Sequence, residues 1–251
     1  ITQGPTIQKF ENKIKKFVKC RYAVAVSSCT AGMHIALLAS GFKKNNTLLT
    51  SPISFVSTAN VSKFCSGKVK FADINLEDVN ISIEKIRKAF KKNKINAVIP
   101  VHFAGKAANI KQIRKTVRDK TILIEDAAHA FGSKYDDGTM VGSCKYSNAT
   151  VFSFHPVKSI ACGEGGVVTT NDKKIYKNLM RLRSHGINKL DDNFILKKQA
   201  FTKNLKNPWY YEMRELGFHY RMTEIQASLG ISQLNKLSKF IAKRKKIAKY
   251  Y

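Results

Sequence analysis

Acidic residues are scarce in this chain, and so are the features that mark secreted, zinc-binding or membrane-spanning proteins. Only 17 aspartates and glutamates stand against 45 lysines and arginines, a formal net charge of +28 over 251 residues. The five cysteines (Cys20, Cys29, Cys65, Cys144 and Cys162) are odd in number, scattered and never in CxxC spacing, which argues against a disulfide framework or a zinc site. They read as reduced thiols, and no metal is expected. No window approaches the roughly 18 uninterrupted apolar residues of a membrane span, and no charged-then-apolar signal sequence opens the chain, so the expected setting is cytoplasmic, with no membrane partner. Internal repeats and low-complexity linkers are also missing. What is present is 43% hydrophobic residues, enough to build a substantial core in one large domain or two small ones.

A charge of +28 raises the possibility of a nucleic-acid partner or a basic regulatory protein. The placement of the charge disfavours it. The lysines come in short runs (13–16, 43–44, 91–92, 243–246) on the polar faces of predicted helices, not in one stripe interleaved with aromatics. A positive field of this kind would still gather a small anionic substrate.

Strand and helix patterns alternate along the chain. A helix is predicted over 6–19, with Ile7, Phe10 and Ile14 at helical spacing, then a short buried strand over 23–26. That strand runs through Ser27-Ser28-Cys29-Thr30-Ala31-Gly32 into an apolar helix over 33–39. Small hydroxyl residues at a helix start present backbone amides at the positive end of the helix dipole, which suits a phosphate; a plain Ser/Thr cap is the simpler reading. Further strands are expected at 48–50, 69–73, 97–102 and 121–124, with helices over 55–63, over 82–92 capped by Ser82, and after an Asn109 cap. This order calls for a mixed, mostly parallel sheet covered by helices on both faces, an α/β fold.

Two segments carry candidate chemistry. The strand at 121–124 runs into Glu125-Asp126-Ala127-Ala128-His129, an acid and an imidazole three residues apart at a strand's carboxyl end, where open α/β sheets collect ligands. Further on, β-type runs at 150–154 and 167–170 flank a turn in which Pro156 and three glycines forbid regular structure, and Lys158 sits in that turn. A lysine held between buried strands is partly desolvated, which favours the neutral amine needed for imine chemistry. A phosphate cradle, the aromatic Phe55, an Asp and a His, and a loop lysine, in that order, are the parts needed to hold pyridoxal 5′-phosphate.

These segments resemble the DegT/DnrJ/EryC1/StrS family of sugar aminotransferases. The likeness extends over nearly the whole chain, through Thr2-Gln3-Gly4, Ser28-Cys29-Thr30-Ala31, Ile53-Ser54-Phe55, Val101-His102-Phe103-Ala104-Gly105, Glu125-Asp126-Ala127-Ala128-His129, the Lys158 turn, Arg183-Ser184-His185-Gly186 and residues 215–234. The resemblance implies the aspartate-aminotransferase fold of type I pyridoxal enzymes, with residues 1–235 as the cofactor domain and 236–251 as the start of a helix leading to a C-terminal small domain. It implies that Lys158 carries the cofactor and shuttles a proton, that Asp126 pairs with the pyridine nitrogen, that His129 sits near the ring and that Phe55 stacks on it. Cys29, Thr30, Ala31 and Ser153 would hold the phosphate, and Thr2, Gln3 and Gly4 would begin a substrate loop. Where the family usually has an asparagine reaching a neighbouring subunit's phosphate, this chain has His219, so a homodimer with shared sites is implied with an altered contact. The implied reaction moves an amino group from L-glutamate to C4 of a 4-keto-6-deoxy nucleotide sugar. The phrases around Ile53, Trp209 and Glu215 are most similar to the branch acting on UDP-linked sugars of pseudaminic-acid type.

Overall fold

The computed structural model describes residues 3–189 and 193–251. Helix α1 (Pro5–Val18) buries Ile7, Phe10, Ile14 and Val18, with Pro5 in the first turn, where helix geometry leaves amides without acceptors. It leads to β1 (Tyr22–Val26) and α2 (Cys29–Ala39), then β2 (Thr47–Thr50), α3 (Ser57–Phe64), β3 (Lys68–Phe71), α4 (Ile83–Lys92), β4 (Ala97–Ile99), α5 (Ile110–Thr116) and β5 (Ile122–Asp126). After these come β6 (Ala149–Ser153), β7 (Gly166–Thr170) and α6 (Lys173–Leu182).

The seven strands form one sheet in the order β1-β7-β6-β5-β4-β2-β3. Strand β7 runs against both its neighbours, and every other adjacent pair is parallel. Successive side chains point to opposite faces, so every strand but the exposed edge strand β3 feeds two cores. Ala23, Ala25, Leu49, Val98, Leu123, Phe152 and Val167 join the core with α1 and α5. Val24, Val26, Leu48, Ile99, Ile124, Val151 and Val168 join the one with α2 and α6. Helices therefore cover both faces, as the alternating pattern predicts.

Beyond α6 the chain makes a smaller excursion. The two-residue strand β8 (Ile187–Asn188) precedes α7 (Lys197–Ala200), the hairpin of β9 (Phe201–Thr202) and β10 (Leu205–Lys206), and β11 (Glu212–Met213), which pairs back onto β8. Phe194, Ala200 and Tyr210 form its own small core. The chain then returns through α8 (Glu224–Leu234) and α9 (Leu237–Tyr250). Among the described residues no helix is long and apolar enough to cross a membrane.

Several sequence expectations shift: the strand expected at 97–102 ends at Ile99, and the helix expected over 33–39 begins at Cys29. Helix α3 begins at Ser57 rather than at 55, and Phe55 stays in the approach turn, 74% exposed. Helix α6, absent from the sequence reading, is capped by Asp172, whose Oδ1 accepts from the Lys174 and Ile175 amides.

Candidate active site

The candidate residues gather where the parallel strands end and β7 begins. After β1, Ser28 caps α2, its Oγ accepting from the Ala31 amide at 3.1 Å. That uses Ala31's donor and leaves the amides of Cys29 and Thr30, for which the helix itself offers no acceptor. Two glycines let α2 sit this deep. A Cβ on Gly32 would stand 2.8 Å from Val151 Cγ1 of β6, and one on Gly166 would stand 2.8 Å from the Cys29 amide nitrogen. The start of α2 and the end of the lysine turn can touch only because position 166 has no side chain.

Asp126 closes β5 and is 3% exposed. Its Oδ2 accepts from the Thr58 hydroxyl at 2.7 Å and its Oδ1 from the Ala128 amide at 3.1 Å. Thr58 is itself 2.6 Å from Ser54 Oγ. One residue earlier, the wholly buried Glu125 accepts from His102 Nε2 at 2.8 Å, from Thr150 Oγ1 at 2.9 Å, and from Tyr135 and Ser147. His102 Nδ1 accepts from the Ala108 amide, so the ring proton lies on Nε2, facing Glu125. Burial pushes the Glu125 pKa up, but the bonds from His102, Ser147 and Tyr135 outweigh it and hold the carboxyl below its usual range. The His102 amide also donates to the Asp126 carbonyl at 3.0 Å, so this buried pair braces the backbone that presents Asp126.

Lys158 lies half-buried on the irregular turn between β6 and β7. It lines a cavity of about 470 Å³ together with Asp126, His129, Phe55, Cys29, Thr30 and Ser153. The charges are felt across this space. Burial, then the positive charge of Lys158, push the His129 imidazole below its ordinary pKa against the opposing pull of Asp126, so His129 is neutral at pH 7. Burial, and then Asp126, push the Cys29 thiol well up, so it stays protonated.

Seven of the predicted site residues thus share one cavity, with Ala31 just inside α2. Others lie elsewhere. Gln3 donates to the Met222 carbonyl at 3.0 Å and faces a separate cavity of about 650 Å³ beside α6 and β8. Gly4 abuts the Glu224 carboxylate, which also caps α1 through the Thr6 and Ile7 amides. His219 is exposed, bridged to Ser184 and with its ring 5.5 Å from that of His185, and it does not line the lysine cavity. Thr2 lies outside the described residues. Ser54, His102 and Glu125 lie in segments that carry the resemblance, but the sequence reading assigns no role to them or to Thr58, since their pairing across the fold has no local signal.

A lysine entering the single antiparallel strand, a carboxylate ending a parallel strand and a helix start, all opening on one cavity, define an α/β domain of aminotransferase type. Comparison with known proteins agrees. The DegT/DnrJ/EryC1/StrS aminotransferase family model matches residues 1–251, and the chain belongs to that family. It is 36% identical over 252 residues to the spore coat polysaccharide biosynthesis protein SpsC of Bacillus subtilis. It is 35% identical over 254 residues to a Campylobacter jejuni UDP-4-amino-4,6-dideoxy-N-acetyl-beta-L-altrosamine transaminase. Both matches take in 100% of this chain, which spans 62% of the length of each relative. Among solved structures, Helicobacter pylori PseC, an aminotransferase involved in the biosynthesis of pseudoaminic acid, superposes with a TM-score of 0.80 at 31% identity, covering 94% of this chain and 59% of its own.

Proposed function

We propose that this chain forms the cofactor-binding part of an aminotransferase that uses pyridoxal 5′-phosphate to move an amino group from L-glutamate to C4 of a UDP-linked 4-keto-6-deoxy sugar. The observation that carries this reading is the convergence of Lys158, Asp126 and the α2 N-terminus on one cavity of about 470 Å³. The donor set fits the cofactor part by part: an amine for its aldehyde, a buried carboxylate for its ring nitrogen, and amides with a hydroxyl at a helix start for its phosphate. When bound, the cofactor supplies an electron sink for the carbon next to the transferred nitrogen.

The protein's own residues do the rest. Asp126 accepts the ring N–H; each of its oxygens holds one donor and keeps a lone pair to spare. Cys29 and Thr30 amides meet the phosphate with the help of the helix dipole, and Ser153, at the end of β6, adds a hydroxyl. Phe55 covers the ring face. Lys158 would hold the cofactor through its side-chain amine, and the same amine would serve as the proton carrier. We read His219, exposed and outside the lining of its own chain's cavity, as serving the phosphate of a second subunit in a homodimer, and α9 as the link to a C-terminal small domain.

The resemblance to a nucleotide-sugar transaminase favours the sugar over simpler keto substrates. Two measurements on the full-length protein test the reading. Borohydride reduction and peptide mapping are expected to find the cofactor on Lys158. Mass spectrometry with glutamate and a panel of UDP- and dTDP-linked 4-keto sugars is expected to show amination of a UDP-linked member. A folded protein that takes up no pyridoxal phosphate would overturn the assignment.

A further inference from the structure

The turn that carries Lys158 has few bonds of its own. Between residues 156 and 161 it is neither helix nor strand, and its internal contacts are local: the Lys158 amide donates to the His155 carbonyl at 3.0 Å and the Val157 amide to His155 Nδ1 at 3.4 Å. Packing anchors the far end. Ile160 and Cys162 are each 2% exposed. A Cβ on Gly230 of α8 would stand 2.7 Å from the Cys162 sulfur, and one on Gly165 would stand 2.6 Å from the Met222 methyl. Lys158 lies outside that anchor. Among the described residues, one hydrogen bond reaches 156–161 from beyond the turn: Arg244 Nη2 donates to the Lys158 carbonyl at 2.9 Å.

The periodicity of α9 puts Arg244 there. Leu237, Phe240 and Ile241 form the stripe that packs on the domain, with Leu237 1% exposed. Ile241 Cδ1 comes so close to Gly132 that a Cβ there would stand 2.6 Å away. Position 244 is three residues after Ile241 and seven after Leu237, so the same stripe ends in a guanidinium at the lysine turn. Gly132 is three residues past His129, and one helix face therefore touches both the His129 segment and the Lys158 segment. From Ala242 to Tyr250 the helix is exposed, Arg244 included, so its bond to the Lys158 carbonyl lies at the surface.

We propose that Arg244 is a positioning residue for Lys158: by holding the peptide carbonyl, α9 fixes where the reactive amine stands, and a tilt of α9 passes directly to that turn. The inference rests on reading Lys158 as the cofactor lysine. A cationic donor suits the task, since a charge-assisted bond to a carbonyl is stronger than a neutral one.

The test uses the full-length protein with Arg244→Ala, Arg244→Lys and, as a control off the stripe, Lys243→Ala. Hydrogen exchange of residues 155–161 in the cofactor-free protein is expected to be about fivefold faster in Arg244→Ala, and pyridoxal phosphate capture and kcat about three- to tenfold slower, from the loss of one charge-assisted bond. The melting temperature should move by no more than about 2 °C, since the stripe of α9 stays packed. Arg244→Lys should recover part of the capture rate and Lys243→Ala should change nothing. Unchanged exchange and capture in Arg244→Ala, or an equal loss in Lys243→Ala, would overturn the proposal. A large drop in melting temperature without recovery by lysine would also count against it, because the role would then be general stability. If the unaltered protein takes up no cofactor while the exchange difference persists, the tether stands and the enzymatic reading fails.

Discussion

Between Ser54 and Asp126 the Thr58 hydroxyl has two partners and no contact with water. Replacing it by valine keeps the shape and removes the donor to Asp126 Oδ2, a bond to a charged group of the kind that contributes about 1.5–3 kcal/mol. Pyridoxal phosphate should therefore bind roughly tenfold more weakly to Thr58→Val at the low end of that range, while Thr58→Ser keeps the hydroxyl and most of the affinity. Fluorescence titration of the two variants decides; equal affinities would mean that the Thr58 bond to Asp126 does not matter for the cofactor contact proposed for that carboxylate. Thr58 and Lys158 differ in how visible they are. Lys158 and Asp126 could be read from the chain because a lysine in a glycine-rich turn and an acid closing an apolar strand are chemically conspicuous. A hydroxyl inside α3 is not, since helices carry many threonines that touch nothing. Arg244 was hidden differently, as one of 45 basic residues whose meaning depends on a turn 86 positions away.

At the level of elements, one buried pair ties α1 to β1 and to the end of α6. Arg183 Nη1 donates to Glu11 Oε1 at 2.9 Å and to the Ala25 carbonyl at 2.9 Å, and the same Glu11 oxygen accepts from the Ala25 amide at 2.8 Å. Both residues are buried, Arg183 5% and Glu11 9% exposed. Burial raises the Glu11 pKa and Arg183 opposes it. Removing the arginine strands a buried carboxylate, so Arg183→Met should lose about 3–5 kcal/mol at neutral pH. The sign with pH follows: a carboxyl whose folded pKa lies above its unfolded value destabilises most when fully ionised. The deficit of the variant should therefore shrink as pH falls through that raised value, which denaturant unfolding at pH 8 and pH 5 would show. A pH-independent deficit would point to lost packing alone. Elements with local signals were legible in the sequence. Asn109 caps α5, Ser82 caps α4, and Thr223 with Gln226 forms a reciprocal capping box on α8. The paired two-residue strands β8 to β11 were not, because two residues cannot display a period; their pairing depends on partners that only the fold brings near. The order of strands in the sheet was equally out of reach, since nothing in the run of β7 announces that it lies between β1 and β6 and points the other way.

For the molecule as a whole, charge is the dominant property. Among the described residues three acidic side chains, Glu11, Glu125 and Asp126, are buried against one basic one, Arg183, so the surface is slightly more one-sided than the formal +28 suggests. Such a field pulls anions toward the protein and repels the protein from itself. Screening separates the two effects. Raising ionic strength from about 0.01 M to about 0.15 M shortens the Debye length from about 30 Å to about 8 Å. Self-repulsion weakens, so the melting temperature should rise with salt. Long-range attraction weakens as well, so KM for the proposed UDP-linked sugar should rise several-fold with kcat almost unchanged. Glutamate, carrying less net negative charge, should show a shallower dependence under the same conditions. Initial rates measured with each substrate varied in turn over this range of salt distinguish the cases. Equal slopes for the two substrates would mean that the surface charge does not steer the sugar nucleotide. A steep salt dependence of DNA binding in a protein that takes up no pyridoxal phosphate would turn the reading toward a nucleic-acid partner.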